Sequence, residues 1–330
     1  MNKRQRLEAA IAGEPLDRVP VCLWRHWPGD DQRSADLAHA VVQFQSAYDW
    51  DFAVIGASPH FSLTGYGLQD AYEGDLTGER TTLKFPVRRS LEWTELRPLD
   101  PGRGDLARQI DCVGLVGQAL EAQQTPFVHV VYSPLSQAMR LAGRDVVIRS
   151  LRTQPERLHS GLNVLTDTTL RFVEALRRSA LSGIYYLMED ACYDTLAEDE
   201  YRRFGLPYDQ KILSSLPNRW WLRIGLVRGQ NPMLGLTRDL PLNVVSWQAH
   251  DGRPDLSKGR NIANGAVMAG LNRRAQLHDG TPLSIADACR QALMATNGRM
   301  TILSCDGPML VTTPLSNILA VRSAVQASVR

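Results

Sequence analysis

Apolar residues in this 330-residue chain gather in short, nearly continuous runs, each followed by a stretch where they return every three to four positions. The short runs fall at 19–24, 51–55, 126–132, 183–188, 220–225, 243–247, 266–270 and 300–304. Their Val, Ile and Leu content suits strands covered on both faces, as in a parallel sheet. The helical pattern occupies 35–48, 106–123, 155–179, 198–215, 256–261, 284–297 and 314–328. Alternating strand and helix predicts parallel βαβ units. Eight such units predict an α/β fold, a single TIM (β/α)8 barrel, with one domain over 1–330. An open doubly wound sheet competes, but no glycine-rich fingerprint follows the first run, where a dinucleotide fold would place it.

One stretch breaks the alternation. Segment 60–101 follows the second strand and contains TTLKFPVRRSLEWTELRPL, whose polar and apolar residues alternate with period two. It predicts a long βα-loop insertion with hairpin character on the C-terminal face of the barrel.

Polar residues at the C-terminal ends of barrel strands converge on one mouth. Arg25 and His26 end the first run, Ser58 and His60 the second, and Tyr132 and Ser133 the third. Glu189 and Asp190 end the fourth, Arg223 lies within or ends the fifth, and Gln248, His250 and Asp251 follow the sixth. Asn272 and Arg273 follow the seventh, and Cys305 and Asp306 the eighth. Arginines in such a place hold anionic groups, and carboxylates move protons. Each position also has a plainer reading. Arg25 could form a structural ion pair with Asp190 or Asp306, and Glu189-Asp190 could cap the next helix. His26 and His250 with Cys305 offer zinc donors, but without the compact spacing of a zinc site, so no metal is expected and Cys305 is a weak candidate.

Composition narrows the partners. The net charge is +2 with no block of like charge, so nucleic acid is not expected. Of the 37 basic residues only Lys3, Lys84, Lys211 and Lys258 are lysines. The five cysteines, Cys22, Cys112, Cys192, Cys289 and Cys305, are scattered and odd in number, which predicts reduced thiols in a cytoplasmic protein. No apolar run is long enough for a membrane span. The expected partner is a small-molecule substrate.

Seven stretches, in order, resemble motifs of the uroporphyrinogen decarboxylase superfamily and cover nearly the whole chain. They are RLEAAIAGEPLDRVPVCLWR, PFVHVVYSPLSQAMRLAG, QPERLHSGLNVLTDTTLRFVEAL, EYRRFGLPYDQKIL, NVVSWQAHDGRPDLSKGR, AVMAGLNRRAQLHDGTP and TTPLSNILAVRSAVQ. The resemblance implies the same barrel, a homodimer and no cofactor. It also implies cofactor-free decarboxylation of a tetrapyrrole or related polycarboxylate, the porphyrin-biosynthesis type of lyase chemistry. Arg25 matches the family's first arginine, although its "RQAGRY" continuation reads RHWPGDD here. Arg25, Asp190 and Asp306 are then the expected catalytic residues. Substrate is expected at His26, His60, Tyr132, Arg140, Arg223, His250 and Arg273. One alternative is a corrinoid-dependent methyltransferase of the same superfamily. Its zinc segment "HxCG" is matched here to Leu222-Arg223-Ile224-Gly225, with Cys305 at the later cysteine. The other alternative is a non-catalytic barrel that binds a small molecule.

Overall fold

In the computed structural model, residues 1–250, 254–263 and 265–327 are described. Nine strands occur among them: β1 (Ala53–Ile55), β2 (Gln69–Ala71), β3 (Thr81–Lys84), β4 (Phe127–Tyr132), β5 (Gly183–Met188), β6 (Leu222–Val227), β7 (Val244–Trp247), β8 (Ala266–Leu271) and β9 (Thr301–Cys305). Seven form one parallel sheet in the order β1-β4-β5-β6-β7-β8-β9, and β2 and β3 form a separate antiparallel pair. Helices stand between successive strands, so both sheet faces are covered and residues of β4, β5, β8 and β9 are buried throughout. Packing there leaves little slack. A Cβ on Gly183 would stand 1.7 Å from the Leu222 carbonyl oxygen, so glycine is required where β5 meets β6.

The first apolar run differs from the expectation. It does not form a strand but makes one parallel bridge, Val21 to Leu303. Cys22 N–H donates to Leu303 O at 3.1 Å, Leu303 N–H to Pro20 O at 2.8 Å, and Asp51 N–H to Val21 O at 3.0 Å. Pro20 has no N–H, so the ladder cannot extend. Asp51 compensates from a fully buried position. Its carboxylate accepts from Val21 N at 2.7 Å, Arg18 Nη1 at 2.7 Å and Arg6 Nη1 at 2.7 Å.

The fifth run is shifted as well. Trp220 N–H donates to Pro217 O in a turn, and β6 begins only at Leu222. The strand therefore ends at Val227, and its mouth residue is Arg228. The helix expected over 198–215 divides into Glu198–Phe204 and Leu206–Ser214, because Pro207 cannot donate within a continuous helix. In the 60–101 segment, β3 pairs upstream with β2. Pro86 ends the alternation after Phe85, and Ser90–Thr94 folds as a 3₁₀ turn. Among the described residues, no helix is long and apolar enough to cross a membrane.

Candidate functional site

The C-terminal ends of β4, β5, β6 and β8 open onto a cavity of about 660 Å³, lined by Arg140, Arg144, Glu189, Asp190, Arg228 and Arg273 among others. Arg140 comes from the helix Pro134–Ala142, whose N-cap Ser133 directly follows β4 and accepts from Ser136 N–H. Glu189 and Asp190 follow β5, Arg228 follows β6, and Arg273 lies two residues beyond β8.

Four of the charges at the cleft form a closed quartet. The Arg140 guanidinium is bidentate on Glu79, at 2.9 and 3.0 Å, and its Nε donates to Glu189 at 2.8 Å. Arg228 Nη1 donates to Glu189 and, at 3.4 Å, to Glu79. Burial alone would raise the Glu79 carboxyl, but the Arg140 and Arg228 charges outweigh it and hold Glu79 well below the usual range. Glu79 arrives on the connection between β2 and β3. Gly78 lets that connection lie flat on the first run: its φ is +81°, and a Cβ there would meet the His26 Cβ at 2.6 Å. Beneath the quartet, the buried Tyr132 ring faces the Arg140 guanidinium at 4.9 Å, and its hydroxyl has no hydrogen-bond partner among the described residues.

Asp190 differs from its neighbours. Burial first, and then the Glu189 charge, push its carboxyl up to about 6, against one 3.2 Å contact from the exposed Arg144. Arg273 donates to Pro308 O at a long 3.4 Å, and its own N–H donates to Asp306 Oδ1 at 2.8 Å.

Other expected site residues do not line the cavity. Arg25 does not reach the cleft. Its Nη1 donates to Val311 O at 2.8 Å and its guanidinium lies over Trp27 at 4.2 Å, fastening the chain after β9 to the first run. Arg223 sits at the opposite end of β6, with Nε on Trp220 O at 3.1 Å, a consequence of the shifted strand. His26 is buried against Ala57 O at 3.0 Å, and burial pushes its imidazole pKa down. His60 pairs with Asp70 at 2.7 Å, and Asp70 accepts from Arg80 at 2.9 Å, which ties β2 to the first βα connection. His250 is exposed and bonds Gly270 O at 2.8 Å. Asp251 lies outside the described residues. Arg140, Asp190 and Arg273 therefore line one cleft, with Asp306 buried beside Arg273, while Arg25, Arg223 and His60 do not join them. Spacing in the sequence gave no signal for Glu79, Arg144 or Arg228. The register shift hid Arg228, and Glu79 is recruited from a segment more than 60 residues before Arg140.

Zinc does not fit the donors present. Cys305 is fully buried, its Sγ donates to Gly307 O at 3.1 Å, and burial pushes the thiol pKa up. Among the described residues, no group of three His, Cys, Asp or Glu side chains could hold a metal ion.

The family profile for uroporphyrinogen decarboxylase (URO-D) matches residues 2–328. The chain belongs to that family. Within it, the relative "Methylcobamide:CoM methyltransferase MtbA" of Methanosarcina acetivorans is 23% identical over 337 residues, covering 96% of this chain and 95% of its own. A uroporphyrinogen decarboxylase of Rhodococcus opacus is 26% identical, but over 144 residues and 40% of each chain. The solved structure of a methyltransferase from Methanosarcina mazei superposes with a TM-score of 0.86 at 19% identity, covering all of both chains, and so shares the fold. These matches overturn the expectation of tetrapyrrole decarboxylation, because the whole-length resemblance runs to methyltransferases. The geometry gives a physical reason for the correction: Arg25 and Arg223, two of the arginines expected to hold substrate carboxylates, point away from the cleft.

Proposed function

We propose that this chain transfers a methyl group from a methylcobamide to a small nucleophilic acceptor, such as a thiol, bound in the cleft at the strand ends. The observation that carries this reading is the resemblance to a methylcobamide:CoM methyltransferase along 96% of the chain. In such a transfer the acceptor sulfur supplies the electron pair of the new S–CH₃ bond. The Co–C bond breaks with its pair staying on the corrinoid, and the acceptor proton leaves. A thiolate is the reactive form, so something must take that proton. Asp190 lines the cleft with a carboxyl pushed up to about 6, close to the neutral range where a general base works best. Arg144 beside it favours the thiolate. The cleft forms the mouth of a closed eight-stranded barrel in this reading, with the Pro20–Cys22 segment bridging β9 on one side and the chain before β1 on the other. The hydrogen bonds of Leu303 and Asp51 support that closure.

The test is anaerobic incubation of the protein with methylcobalamin and a panel of thiols, following loss of the methyl–cobalt absorbance. Protein-dependent demethylation is expected, with Asp190→Asn slowing it at least about a hundred-fold, the lower end of the scale of general base catalysis. Demethylation no faster than in buffer for every thiol, with the fold intact, would overturn the reading in favour of a binding barrel.

A further inference from the structure

Among the arginines of the cleft, donor satisfaction separates one from the rest. Arg140 has a carboxylate oxygen facing each of its three nitrogens, and Arg228 Nη1 is shared between Glu79 and Glu189. Arg140 cannot accept a ligand anion without breaking an ion pair inside the protein, and the Arg228 charge is already shared between two carboxylates. Arg144 has an ion pair with Asp190, and its side chain is 60% exposed, so water solvates it. Arg273 is the exception. It lines the cavity and is half-buried, yet its guanidinium makes only the 3.4 Å contact to Pro308 O, and no ion pair is found for it among the described residues. A guanidinium carries five N–H donors in a planar fork. Burying such a fork without an acceptor is costly unless a ligand completes it.

We infer that Arg273 seats the anionic group, a carboxylate or sulfonate, of the small molecule that occupies this cleft. The inference rests on the reading of the cleft as the acceptor site. Two further features favour it. Gly307, at φ +111°, wraps the chain beside the guanidinium: a Cβ there would stand 3.9 Å from Arg273 Nη1, so the absence of a side chain leaves the fork uncovered. Burial and the nearby Arg228 charge push the Arg273 guanidinium pKa down, and the charge of a bound anion offsets both. Arg273 and Asp190 line the same cavity, so an acceptor anchored through its anion at one presents its nucleophile toward the other. The fork sets which acceptors enter; Asp190 handles the proton.

Calorimetric titration of the full chain with ethanesulfonate, propionate and neutral propionamide tests this without any turnover. Both anions should bind, the amide should not, and Arg273→Met should weaken anion binding at least ten-fold with near-UV circular dichroism unchanged. Arg273→Lys should lose several-fold, because a point charge cannot reproduce the fork, and it decides the matter if the Met variant does not fold. Arg171→Met, exposed on the helix Pro155–Ala175 and outside the cavity, should change binding less than about three-fold. Anion affinity undiminished in Arg273→Met, amide binding as tight as propionate, or no anion binding to the unaltered chain would overturn the inference. Anion binding without methyl transfer would sink the methyltransferase reading and leave this one standing.

Discussion

Arg140 and Tyr132 illustrate how single residues in this cleft combine legible and hidden roles. Tyr132 was readable from the chain as a strand-end residue, and Arg140 through the family resemblance. What they do was not, because their partners lie far away in sequence: Glu79 is 61 residues from Arg140, and Arg228 is 149 residues from Glu79. The quartet is mostly buried, so removing one member strands the others in low dielectric. Arg140→Met should therefore destabilise the protein by about 3–5 kcal/mol, the cost of leaving a buried carboxylate without its main partner. Urea unfolding at neutral pH checks this, and a loss below about 1 kcal/mol would mean that water already screens the cluster. Glu79→Gln in the same background should recover part of the loss, since it removes the one negative charge left in excess over Arg228.

Among the elements, hydrophobic runs located every strand of the main sheet, because buried parallel strands need apolar side chains on both faces. Boundaries were another matter. Trp220 and Trp221 read as strand residues by propensity, yet the ladder starts at Leu222, opposite Gly183. That two-residue slip leaves Arg223 near the start of β6 and Arg228 just beyond its end. The first run holds its place through a side chain as much as through a ladder, since Asp51 accepts from Val21 N, Arg18 and Arg6 at once. Asp51→Ala removes all of these acceptors and leaves the buried Val21 N–H and the Arg18 guanidinium without their carboxylate, while Arg6 keeps Asp17. A loss of about 3–5 kcal/mol is expected. Hydrogen exchange should show the Leu303 and Cys22 amides losing protection first, while β5 and β6 amides keep theirs. Uniform loss across the sheet would mean that this segment is not a separate seam.

For the whole molecule, two buried carboxyls set the response to pH. Burial pushes Asp190 up to about 6 and Asp209, which accepts from Tyr186 and Tyr201 at 2.7 Å each, up to about 7, against an ordinary value of 3.8. A folded-state value above the unfolded one means that the folded protein holds the proton more tightly. That stabilisation is complete below about pH 4 and fades as pH rises through 6 and 7. Glu79, held low by its arginines, acts in the opposite sense and loses its contribution as pH falls. The melting temperature should therefore peak near about pH 5 and decline toward about pH 8. The Asp209 part amounts to at most about 4 kcal/mol. Asp209→Asn should flatten that upper limb in a calorimetric pH series; an unchanged slope would assign the decline to other groups. The order of runs along the chain was enough for the parallel α/β architecture and the family, because burial on both faces imposes a pattern that survives divergence. Which arginines are neutralised by carboxylates, which one keeps a free fork, and which carboxyl is desolvated enough to hold a proton near neutrality depended on distances between residues far apart in the chain. Coulomb attraction and desolvation act through space, so only the folded arrangement could settle them.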